Sequence, residues 1–125
     1  MPQRFPCIAA CAAIALATAP TFARAQPAPS FHATCGGLRA AIAKLGHDGE
    51  ALVTIEVEGA LRGVHFDGAL AYLLLCAAPD PQVLCVTYAT GGRNVGDRAT
   101  VTGAFSQRGP DHVLLDPCLP SPPQE

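Results

Sequence analysis

The chain has 125 residues, with 8 Lys and Arg against 10 Asp and Glu. That length supports one modest hydrophobic core, not two. A formal charge of −2 argues against nucleic acid as a partner, because phosphate binding rests on Lys and Arg displacing counterions.

The first segment reads as an export signal. Arg4 supplies a positive start, residues 7–19 form an apolar run, and Ala23-Arg24-Ala25 is a small-x-small cleavage site. The run is thirteen residues, against the roughly 20 a membrane-spanning helix needs, so no stable membrane anchor is expected after cleavage. Ile8-Ala9-Ala10-Cys11 has the residue types of a lipoprotein box, but most of the apolar run follows Cys11 instead of preceding it. Cleavage after Ala25 removes Arg4 and Arg24, leaving six basic residues against ten acidic ones and a formal charge of −4. It also removes Cys7 and Cys11. The remaining Cys35, Cys76, Cys85 and Cys118 form an even set, which favours two disulfides in a periplasmic or secreted chain.

Residues 1–25 are thus expected as a cleaved signal peptide, 26–33 as a flexible Pro/Ala/Ser linker, 34–118 as a single domain and 119–125 as a disordered Pro-rich tail. Within the domain, Leu38, Ile42 and Leu45 fall at helical spacing, with Thr34 able to cap the start and Gly46 suited to the stop. The next run, Val53-Thr54-Ile55-Glu56-Val57-Glu58, alternates strictly, so Val53, Ile55 and Val57 face a core. Gly59 and Gly63 interrupt it without ending the extended run to Phe66, as in a strongly bent strand with a bulge. After a turn at Asp67-Gly68, residues 70–76 and 83–88 read as a hairpin across a loop with two prolines. Residues 98–105 alternate again, with Ala99, Val101 and Phe105 on one side. Residues 112–115 supply a fifth strand that Asp116-Pro117 is expected to stop.

A hairpin centred between Asp80 and Pro81 places Cys76 opposite Cys85, Leu74 opposite Thr87 and Leu75 opposite Val86. Such opposed residues lie near enough for a bridge. Cys35 is then left to join Cys118 across 83 residues, contributing roughly 4.5 kcal/mol, against roughly 2.5 kcal/mol for the hairpin bridge. Structural disulfides are preferred to zinc or redox chemistry, because no C-x-x-C pair exists. In this register Leu73, Leu75, Leu84, Val86 and Tyr88 form the core face. Tyr72, Leu74 and Thr87, with the Cys76/Cys85 pair, form the other.

Five strands, the first long and Gly-bent, with Val-Gly-Asp-Arg-Ala-Thr-Val-Thr-Gly opening the fourth, resemble small exported bacterial single-OB-fold proteins. The resemblance covers residues 52–118 and is one of strand order, and a different small β-barrel or sandwich also fits the strand count. It implies a mainly β, five-stranded OB-like barrel, here preceded by one short N-terminal helix. It also implies ligand binding on the outer face of the second and third strands, which selects Tyr72, Leu74 and Thr87 as the candidate surface. Packing beneath the helix accounts for Tyr72 and Leu74 equally well. The exported OB-fold haem chaperones attach haem through a histidine in a C-terminal Tyr-containing segment. This chain has neither residue beyond His112.

No catalytic constellation is visible. The four histidines left after cleavage, His32, His47, His65 and His112, form no known catalytic spacing, and Ser106 and Ser121 lack a Gly-x-Ser-x-Gly setting. Gly91-Gly92-Arg93 lacks the spacing and the following helix of a phosphate loop. The leading expectation is therefore a non-catalytic module without a cofactor, binding a peptide, a glycan, a small molecule or an envelope protein. The alternative is a metal carrier in which His65 and Asp67 converge with Asp111 and His112. A third expectation sets the acidic strand face of Glu56 and Glu58 against a basic protein partner.

Overall fold

The computed structural model describes residues 2–3, 14–18, 31–45 and 53–122. The cleavage site after Ala25, the proposed helix stop at Gly46, His47 and the last three residues lie outside them. Seven elements follow in order: β1 (Phe31–Thr34), α1 (Cys35–Lys44), β2 (Thr54–Phe66), β3 (Ala71–Leu75), β4 (Gln82–Thr87), β5 (Arg98–Gln107) and β6 (His112–Pro120).

The strands join in the order β1-β2-β3-β4-β6-β5, and a further pairing of β5 with β2 closes β2 to β6 into a five-stranded barrel. Two pairings are parallel, β4 with β6 and β1 with β2; the others are antiparallel. The architecture is compatible with an OB-like fold, as the strand order implied. Within the barrel β2 serves two neighbours, while β1 pairs along the other edge of its first half. The first half of β2 pairs with β5 and its second with β3, and the register shifts between Leu61 and Gly63, leaving Arg62 as the extra residue of a bulge. The bent, bulged first strand is thus present.

Alternation puts Ile55, Val57, Leu73, Leu75, Val83, Cys85, Ala99, Val101, Val113 and Leu115 inside. Val53 and Phe105 pack against this cluster from the ends of their strands. α1 adds Leu38, fully buried, and Ile42 at its edge. Thr34 occupies the position before the helix, but its hydroxyl makes no capping bond. The helix, with Gly36 and Gly37 in its first turn, is instead held from outside. Arg39 donates to the Pro79 carbonyl at 2.8 Å and to Asp111 at 2.7 Å, tying α1 to the β3–β4 and β5–β6 connections.

Three expectations are corrected. The disulfides are Cys35–Cys76 and Cys85–Cys118, each with Cα atoms 5.4 Å apart, not Cys76–Cys85 and Cys35–Cys118. The cause is the hairpin register. Leu75 pairs with Val83 and Leu73 with Cys85, three residues from the expected alignment, and an odd shift exchanges the faces of β4. Cys76 adopts a left-handed backbone (φ 68°), so it leaves the ladder and turns inward directly after the buried Leu75. It meets Cys35 above Gly59, where a Cβ would lie 2.5 Å from the Cys35 sulfur. That close approach is why glycine stands in the middle of β2.

The second correction concerns residues 31–33, expected within a linker, which form β1. His32 Nδ1 lies 2.6 Å from Glu56 Oε1, while Phe31 and Ala33 pack on the core. A four-residue strand is too short to show alternation beside a Pro-rich segment. The third is the end of β6. It continues through Asp116-Pro117 to Pro120, because β5 offers only Ala104 opposite those two residues, and a bulge accepts a proline that has no N–H. Gly103 permits the crossing: a Cβ there would lie 2.5 Å from the Pro117 carbonyl.

Candidate functional site

The register defines the outer surface of β3, β4 and the adjoining parts of β2 and β6. One row across the strands is Gly63, Leu74, Leu84, Leu114 and Ser106. The next is His65, Tyr72 and Val86, with Asp116 following one residue beyond the Cys85–Leu115 pair. Leu74, Leu84, Leu114, Tyr72 and Val86 are each partly exposed. Their strand neighbours Leu73, Leu75, Val83, Cys85 and Leu115 are fully buried, so the face is outward by alternation, and α1 packs mainly against β1 and β2.

The aromatic row is fixed by hydrogen bonds. Asp67 Oδ1 accepts the backbone N–H groups of Ala69 and Leu70 at 2.9 and 2.7 Å, and Tyr72 donates its hydroxyl to Asp67 Oδ2 at 2.9 Å. The Leu70 and Ala69 amides and the tyrosine hydroxyl hold the Asp67 carboxyl below the ordinary carboxylate range. In return Asp67, with a smaller contribution from the Asp116 charge, raises Tyr72 above the ordinary phenol. His65 stacks on Tyr72 with ring centroids 6.1 Å apart. Phe66 and Tyr88, respectively 51% and 72% exposed, stand at the same end of the barrel, beyond the Phe66–Ala71 and Ala71–Thr87 pairs.

Of the three residues selected from sequence, Tyr72 and Leu74 lie on this face and Thr87 does not. Thr87 is 6% exposed and points inward opposite Ala71. Leu84 and Val86, assigned to the core, stand on the outer face in its place, and Tyr88 projects into solvent. Leu114 and Asp116 went unrecognised as members. Leu114 is the polar-phase residue of Val113-Leu114-Leu115, and only the parallel β4–β6 pairing brings it beside Leu84.

The metal-carrier residues do not converge. His65 and Asp67 sit where β2 turns into β3; Asp111 and His112 lie level with Gln82, at the opposite end of β3 and β4. Asp111 is bound to Arg39. Among the described residues no three His, Cys, Asp or Glu side chains gather as a metal-ligand group.

The opposite wall carries a groove of about 810 Å³ lined by Glu56, Glu58, Arg93, Asp97, Arg98 and Thr100, among others. Its charged side chains have partners nearby. Arg98 pairs with Glu58 at 2.8 Å, Glu56 meets His32 and the Thr102 hydroxyl, and Arg93 donates to the Ser121 carbonyl at 2.6 Å. On the acidic strand face Glu58 is thus ion-paired with Arg98, and Glu56 is held by His32 and Thr102.

Two disulfides place the chain in an oxidising, extracellular-type environment. Among the described residues no helix is long and apolar enough to cross a membrane. No protein-family model matches the sequence, and no curated protein matches it.

Proposed function

We propose that the chain is exported to the periplasm or the medium and acts there as a non-catalytic binding module, taking its ligand on the outer face of β3 and β4. The observation that carries this reading is the leucine row. Leu74, Leu84 and Leu114 stand side by side on the solvent side of a barrel whose core is already complete beneath them. Scattered surface leucines are ordinary; a contiguous row beside an ordered tyrosine is the pattern of a binding surface. The disulfides support export, and the surface matches the one that OB barrels commonly present to ligands.

The test is an NMR screen of the disulfide-bonded, isotope-labelled chain against a mixed library of small-molecule fragments and short peptides. Binders are expected to shift the resonances of Tyr72, Leu74, Leu84 and Leu114 together. Shifts confined to the groove of Glu56, Glu58 and Arg98, or no binder at all, overturn the assignment of the face.

A further inference from the structure

The chemistry around the leucine row selects the kind of ligand, if that row is indeed the binding face. We infer that the face receives an extended, positively charged peptide segment of a partner protein: a Lys or Arg seats on Tyr72 between Asp67 and Asp116, and apolar side chains lie along Leu74, Leu84 and Leu114.

Three observations carry this. The two rows run across β3, β4 and β6, so a peptide crossing the strands meets the aromatic row and the leucine row together. Two carboxylates lie near Tyr72: Asp67 accepts its hydroxyl, and Asp116, next along β6 after the Cys85–Leu115 pair, is close enough for its charge to act on the phenol. Asp116 makes no hydrogen bond or ion pair with another described side chain, in contrast to Glu56 and Glu58 on the other wall. A phenol ring whose hydroxyl leans on an anion is an electron-rich surface, and a ring flanked by carboxylates attracts cations and repels anions. An anionic glycan is repelled by these charges, and for an uncharged one the leucines leave most sugar hydroxyls without partners. Gly63 at the end of the leucine row leaves a gap on β2, since only Leu74 lies within contact of a Cβ placed there, at 3.4 Å. An apolar side chain of the peptide fits against that gap.

The test is selection of a random phage-displayed peptide library on the full disulfide-bonded chain, followed by affinity measurements with the enriched peptides. Enriched peptides are expected to place Lys or Arg beside apolar residues. They should bind about tenfold more weakly to a Tyr72→Leu/Asp116→Asn double variant, which keeps the apolar area but removes the ring and one charge, and with unchanged affinity to Glu58→Gln. Retention of both disulfides and a native amide spectrum confirms that each variant is folded. Enriched peptides without basic residues, or full affinity for the double variant, overturn the cation seat; if Leu74→Gln still abolishes that binding, the assignment of the face survives. Binding indifferent to Leu74→Gln removes the face as well, and failure to enrich any peptide overturns the peptide ligand.

Discussion

The two walls of the barrel are alike inside and opposite outside. On the wall of β1, β2 and β5 the inward residues are Ile55, Val57, Ala99 and Val101; on the wall of β3, β4 and β6 they are Leu73, Leu75, Val83, Cys85 and Leu115. Either set is what a small barrel needs to fill its interior. Outward, the first wall alternates acids with bases and threonines that bond to each other: Glu58 with Arg98, Glu56 with His32 and Thr102. The second presents leucines, a valine and a tyrosine. Among the described residues, the first wall supplies partners for its own polar groups, and the second leaves apolar surface and the Asp116 carboxylate without one. The proposed binding face is therefore the wall whose surface is incomplete, not the wall that carries the groove.

The largest effects test the premise that both walls rest on one covalent frame. The disulfides close loops of 41 and 33 residues, so the chain-entropy model assigns each about 4 kcal/mol. Replacing either pair by alanine should lower the free energy of unfolding, measured in urea, by about that amount. The bridges should nevertheless differ in accessibility. Cys85 and Cys118 are 0% and 1% exposed, whereas Cys35 is partly exposed at the helix start. Mild reductant followed by alkylation and peptide mapping should label Cys35 and Cys76 first. Simultaneous labelling of all four would mean that the bridges open only with the whole fold.

A smaller effect separates the two sides of one strand. Leu73→Ala removes a fully buried side chain and should cost about 3 kcal/mol, while Leu74→Ala, one residue on, should cost about 1 kcal/mol or less and leave the fold intact. Urea midpoints for the pair check this. Equal losses would show that Leu74 is packed as core, and the leucine row would lose its meaning as a free surface.

Much of this frame was legible in the sequence. Strict alternation in residues 53–58 and 98–105 fixed which face turns inward, and helical spacing found Leu38 and Ile42. The helix boundary at Thr34 followed even though its cap is not used. What escaped was long-range. Nothing local reveals that Cys76 takes a left-handed conformation, or that the hairpin register lies three residues from a loop centred on Asp80 and Pro81, which exchanges Leu84 and Val86 with Thr87 and Cys85. The disulfide partners fell with the register. Leu114 and Asp116 could not be placed beside Leu84 and Val86, because a parallel pairing between β4 and β6 leaves no turn between them to read. Only the Tyr72–Leu74 part of the candidate face, which lies within one strand, could be found from sequence.

The smallest effect sharpens the contrast at a single pair. Asp67 and Tyr72 hold each other in opposite directions: the carboxyl lies below its ordinary value of 3.8, through the Leu70 and Ala69 amides and then the tyrosine hydroxyl, and the phenol lies above its ordinary value of 10.0. A depressed carboxyl contributes stability that is present above its unfolded value and lost as pH falls through the folded one. A raised phenol contributes stability that is present below its unfolded value and lost as pH rises through the folded one. Both groups are exposed, so the changes in stability are slight, but the titrations themselves are readable. In the ring-carbon NMR titration, Tyr72 should ionise above 10.0 in the native chain and shift downward in Asp67→Asn, because the neutral amide no longer penalises the phenolate. An unmoved midpoint would mean that Asp67 does not set the charge around Tyr72. The cation seat would then rest on Asp116 alone, and the two walls would differ in apolar character but hardly in their electrostatic demand for a partner.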